Sequence, residues 1–108
     1  MWIFTNFGFF SVVQKYDNHN VVSVRGRCME DMKRLVDGHG HTLDVSYDDI
    51  LTSTDTDYRY RLHVPRDRWA QCLSKISSEI DYTNFKNSVS KSLGYNRAHQ
   101  LHDVWDTM

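Results

Sequence analysis

"DYRYRLHVPRDRW", residues 57–69, changes its period halfway along. Up to Val64 it alternates, with Tyr58, Tyr60, Leu62 and Val64 on one side of an extended chain and Arg59, Arg61 and His63 on the other. Beyond Pro65 the apolar residues Trp69, Cys72, Leu73, Ile76 and Ile80 recur at helical spacing, which predicts a helix over about 66–79. Proline suits that junction. The amides of a first helical turn have no partner to lose, and the residue before proline is held extended. A strand that passes directly into a helix makes the chain mixed in class.

Working outward, "WIFT" and "FFSVVQ" are short aromatic and β-branched runs separated by the turn-prone "NFG", and "YDNHN" punctuates before "VVSVRGR". The second run is apolar on both sides, as in a strand covered on two faces. From Cys28 the period turns helical through Met29, Met32, Leu35 and Val36, with Glu30 and Asp31 in the first turn and Gly38 at a stop position, predicting a helix over 28–37. A short strand near Thr42–Tyr47 and a polar loop follow. Phe85, Val89 and Leu93 mark another helix, capped by Asp81 or Thr83 and ended by Gly94; Ala98, Leu101, Trp105 and Met108 mark the last. This order predicts an α+β domain spanning 1–108, an antiparallel sheet covered by helices on one face. A ferredoxin-like arrangement with extra C-terminal helices is the candidate topology.

Composition narrows the function classes. Thirteen basic and fourteen acidic side chains leave a net charge of −1, which supplies no overall field toward nucleic acid or an anionic membrane. The apolar amino terminus lacks a basic leader, and Asn6 and Gly8 break it before it reaches spanning length. Cys28 and Cys72, without CxxC spacing, read as reduced thiols, so the expected location is the cytoplasm. Cys28, near a helix start, is the thiol expected to have a lowered pKa. Three Trp, six Tyr and five Phe exceed the needs of a small core, and Trp2, Phe4, Phe9 and Phe10 are the expected interface of a homo-oligomer.

The alternating strand carries the functional expectation. Arg59, Arg61 and His63 stand about 7 Å apart along one side, twice the rise per residue. Arg25, and Arg27 if the register allows, joins them from "VVSVRGR", and Arg66 and Arg68 lie in the following helical turn. Guanidinium groups stay charged and offer a planar donor fork to phosphate. The predicted ligand set is therefore Arg59, Arg61 and His63, helped by Arg25 and Arg66, around a nucleotide or other phosphate-bearing anion, with tyrosines available for base stacking. The competing reading is surface pairing with carboxylates such as Asp44, Asp48, Asp49 or Asp57, which would mean little.

Two alternatives rest on the carboxyl terminus. In "RAHQLHDVWD", His99, His102 and Asp103 share helical spacing that suits a metal or acid/base chemistry, and "DGHGH" offers Asp37, His39 and His41. No HExxH, GxSxG, P-loop or dinucleotide fingerprint names a reaction, so no cofactor and no catalytic residue is implied. "NSVSKSLGYNRAHQLHDVWD" has the outline of a DNA-binding helix pair, but Gln100 and Asp103 stand where its second helix needs apolar residues, and an αα-hairpin is the simpler account.

Taken together, "MWIFTNFGFFSVVQK", "EIDYTNFKNSV" and "RAHQLHDVWDTM" resemble segments of a family of small bacterial and phage proteins for which no activity is established. The resemblance implies a complete domain and carries no catalytic residue across. For a phage source it would suggest a module that sequesters a host signalling nucleotide or blocks a host protein. The expectation is a non-enzymatic binding or regulatory module.

Overall fold

A computed structural model of the chain describes residues 1–106, without the side chains of Val104 and Trp105. Strands β1 (Trp2–Thr5), β2 (Gly8–Lys15) and β3 (Asn18–Gly26) form a meander; helix α1 (Met29–Leu43), a 3-10 turn (Tyr47–Asp49) and the short β4 (Leu51–Thr52) follow. Strand β5 (Tyr60–Pro65) then runs directly into α2 (Arg66–Ser78), and α3 (Phe85–Leu93) and α4 (Tyr95–Asp106) complete the described chain. The strand order is β1-β2-β3-β5-β4, with every pair antiparallel. The α+β class and the antiparallel, helix-covered sheet are as expected. Strands β3 and β4, joined through α1, run parallel with β5 between them, as in one split βαβ unit of a ferredoxin-like arrangement, but among the described residues α2 leads into α3 and α4 rather than into a second such unit.

Alternation along the strands builds two apolar layers. Phe10, Val12, Val22, Val24, Leu62 and Val64 point to one face and pack with Met32, Leu35, Leu43, Trp69 and Cys72 of α1 and α2. Phe9, one residue before Phe10, points to the other face, where it meets Val89 of α3 and Leu101 of α4 with Phe4, Phe85 and Leu93 around them. The αα-hairpin thus adds partial cover to the second face. Phe9 and Phe10 are each 1% exposed, so the expectation of an interface containing them is corrected: both are core, on opposite sides of one strand. Trp2 remains 51% exposed, and Phe4 stacks on Phe9.

Boundaries moved for local reasons. Helix α1 continues past Gly38 to Leu43, since His39, Gly40 and Leu43 extend its buried stripe. Its stop is Asp44, which adopts a left-handed conformation, while Val45 N–H donates to Gly40 C=O at 3.0 Å. A Cβ on Gly40 would sit 2.9 Å from the Val45 carbonyl oxygen, so the chain can fold back there only over glycine. The strand expected near Thr42–Tyr47 is the end of this helix and the 3-10 turn. Asn84, rather than Asp81 or Thr83, caps α3 by accepting from Asn87 N–H at 2.9 Å. Met108 and the Trp105 side chain lie outside the described residues.

Candidate anion-binding face

Residues directly opposite each other in an antiparallel sheet share a face. Trp2 lies opposite Ser11, Ser11 opposite Arg25, Arg25 opposite Arg61, and Arg61 opposite Leu51, which makes one row across all five strands. Val13, Ser23 and His63 make the next row on the same face. Helices α3 and α4 cover the neighbouring part, over Phe4 and Phe9. Ser11 and Ser23 are small and buried, and the longer side chains close over them: Arg25 Nη2 donates to Ser11 Oγ at 2.8 Å, and His63 Nδ1 meets Ser23 Oγ at 2.8 Å.

The register places Arg25 and Arg61, two of the expected ligands, side by side. Arg61 Nη2 donates to the Tyr58 carbonyl at 3.2 Å, while its Nε is buried with no hydrogen-bond partner among the described residues. The guanidinium carbon atoms of Arg25 and Arg27 lie 4.8 and 5.2 Å from the centre of the Tyr58 ring. Among the described residues no carboxylate lies within ion-pair distance of Arg25, Arg27, Arg59 or Arg61. The surface-pairing alternative therefore does not hold for these four.

Three expected members stand differently. Arg59 precedes β5 and is exposed, and its carbonyl takes the Ser53 N–H at 2.7 Å. His63 is on the right face, but burial first, and then the positive charges of Lys15 and Arg61, hold its pKa below the ordinary histidine value. It is a neutral partner of Ser23 near pH 7 rather than a cation. Arg66 is engaged elsewhere, donating to His19 C=O at 2.9 Å and Gln14 Oε1 at 2.8 Å, which tie α2 to the β2–β3 hairpin. Alternation puts Tyr58 on the side of Tyr60, Leu62 and Val64, away from the arginines. The chain is not yet in β5 at residue 58, so its ring instead joins Phe9 on the arginine face.

A buried ionic hub sets how much of this face α3 and α4 cover. Asp31, fully buried in the first turn of α1, accepts from Phe9 N–H at 3.1 Å and from Arg34 Nη2 at 3.0 Å, and it pairs with Arg97 of α4. Arg34 also donates to Phe7 C=O at 2.9 Å. A Cβ on Gly8 would meet the Asp31 carboxyl carbon at 2.8 Å, so glycine lets the β1–β2 turn close on the carboxylate. In the sequence Asp31 looked like an ordinary first-turn acid, and its partner is 66 positions away.

The other candidates do not assemble. His99 stacks on Tyr95, and His102 Nε2 lies 3.1 Å from Asp106 Oδ2; among the described residues no group of three His, Cys, Asp or Glu could hold a metal. Asp37 accepts from the Tyr47 hydroxyl, His39 is buried beside Glu79, and His41 is exposed. Arg97, the one cation of α4, is committed to Asp31, which leaves that helix without a positive charge for DNA phosphates. Burial, with the nearby Asp31 charge, raises the Cys28 thiol pKa, correcting the expectation of a lowered one. A separate cleft of about 280 Å³ between the β1–β2 turn and the end of α2 is lined by Ile3, Phe7, Ile76 and Ile80 and contains no cation. No described helix is long and apolar enough to cross a membrane. Compared with protein-family models, curated proteins and solved structures, the chain matches none.

Proposed function

We propose that the protein is a non-enzymatic binding module that holds a phosphate-bearing anion on the face carrying Arg25 and Arg61. Arg27, Arg59 and His63 stand around that pair and contribute field or hydrogen bonds. The supporting observation is the Arg25–Arg61 juxtaposition itself: two arginines directly opposite each other in the strand register and, among the described residues, without a carboxylate partner. Like charges in that relation destabilise a sheet. An anion between them would turn the repulsion into two charge-assisted contacts, and the buried, unpartnered Arg61 Nε would gain an acceptor.

The experiment is thermal stabilisation by nucleotides, sugar phosphates and inorganic phosphate, for the wild type and for Arg25→Ala with Arg61→Ala. The double variant should lose the stabilisation completely. Equal shifts in both proteins would reject the reading.

A further inference from the structure

We infer that the ligand of this face is a nucleoside phosphate whose base stacks on the Trp2 indole while its phosphate lies between Arg25 and Arg61. The inference rests on the anion-binding reading above and deepens it. Across the sheet the row runs from an aromatic ring through a small hydroxyl to two adjacent cations. Trp2 is half exposed although it is the largest side chain of the row. Its ring meets Phe9 at 84° with centroids 5.6 Å apart, so the Phe4–Phe9 stack braces it from one side.

The spacing fits the parts of a nucleotide. Adjacent strands lie roughly 4.8 Å apart, so Trp2 and the Arg25 backbone are separated by two such steps, about 10 Å. The Arg25 side chain shortens that gap. Its Nη2 atom bonds to Ser11 Oγ, which carries the positive charge back over β2, one strand from Trp2. A base and its 5′-phosphate bridge a gap of that size, and Arg61 waits beyond for a further phosphate oxygen. Tyr58 is not the platform, because Arg25 and Arg27 already lie over its ring. A sugar phosphate or inorganic phosphate would satisfy the arginines and leave the indole unused.

Both a free nucleotide and a single strand of nucleic acid carry this chemistry, and titration calorimetry separates them. The probes are AMP, UMP, ribose 5-phosphate, inorganic phosphate and a single-stranded oligonucleotide of about eight nucleotides. AMP should bind more tightly than ribose 5-phosphate. Trp2→Ala and Trp2→Leu should weaken AMP binding between about fivefold and 150-fold, the range for losing one base–aromatic stack, while Trp2→Phe keeps most of the affinity. An oligonucleotide that binds much more tightly than AMP and weakens steeply with salt identifies a strand as the source; comparable affinities identify the free nucleotide. Circular dichroism checks that each variant is folded, and size-exclusion chromatography checks its assembly.

If ribose 5-phosphate equals AMP and all three Trp2 variants bind alike, the inference fails while the anion site stands. Trp2→Leu that changes only the oligomeric state would make Trp2 an interface residue and also overturn it. If no phosphate compound binds, both readings fall.

Discussion

Asp31→Asn tests whether the buried hub holds the α3–α4 pair on the sheet. The carboxylate is 0% exposed and faces two guanidinium groups and one backbone amide. Replacing it with an amide of the same shape keeps an acceptor for Phe9 N–H but leaves Arg34 and Arg97 without a counter-charge and turns one NH2 toward donors. Removing one partner of a buried ion pair typically costs about 3–5 kcal/mol. Here the arginine side chains are 35% and 18% exposed and can partly rehydrate, which places the expected loss near the lower end, about 3 kcal/mol. Against a typical domain stability of about 5–15 kcal/mol the variant still folds. Its melting temperature should fall by roughly 10–20 °C, from a few degrees per kcal/mol in a chain of this size. Urea unfolding followed by circular dichroism reads the change. Arg97→Ala and the double variant complete a cycle, in which a shared hub gives a coupling of about 1 kcal/mol or more. A loss below about 0.5 kcal/mol in Asp31→Asn, the level of an ordinary surface change, would refute the reasoning.

Arg61→Gln should leave the unliganded protein as stable or up to about 1 kcal/mol more stable, because it removes a like-charge cross-strand pair; a clear destabilisation in urea would show that Arg61 already has a compensating partner. His63 titrates with a folded-state pKa below its unfolded value of about 6.5. Its neutral form therefore favours folding at pH above that value, and stability declines as pH falls from about 6.5 toward the lower folded pKa, where the loss is complete. Melting temperatures at stepped pH should show this decline in the wild type and a flatter profile in His63→Gln; parallel profiles would contradict it. Burial pushes the Cys72 thiol up to about 11 and raises Cys28 as well. At pH 8 both thiols should react far more slowly with a thiol reagent in the native protein than in urea, and a native-state rate matching free cysteine at either position would be evidence against that packing.

Local pattern in the sequence determined the element types and most of their order. The alternation before Pro65 and the helical period after it are properties of neighbouring residues, and the strand-to-helix junction appears where they change. The same alternation placed Arg61 and His63 on one face, since side-chain direction along a strand follows from covalent geometry. It failed at Tyr58, two residues before β5 begins, where strand parity no longer applies. It also failed at Gly38, because a helix continues through glycine when later residues such as Leu43 have apolar surface to bury.

Only the tertiary structure decided which distant residues meet. The pairing of β3 with β5 brought Arg25 opposite Arg61, 36 positions apart, and the docking of α4 delivered Arg97 to Asp31. Nothing near either residue in sequence marks its partner, because strand register and helix docking are set by the summed burial of two apolar layers rather than by any single segment. The chain's near-zero net charge hid Arg25 and Arg61, opposite each other and, among the described residues, without carboxylate partners, since composition adds charges regardless of place, whereas the fold separates the acids from them.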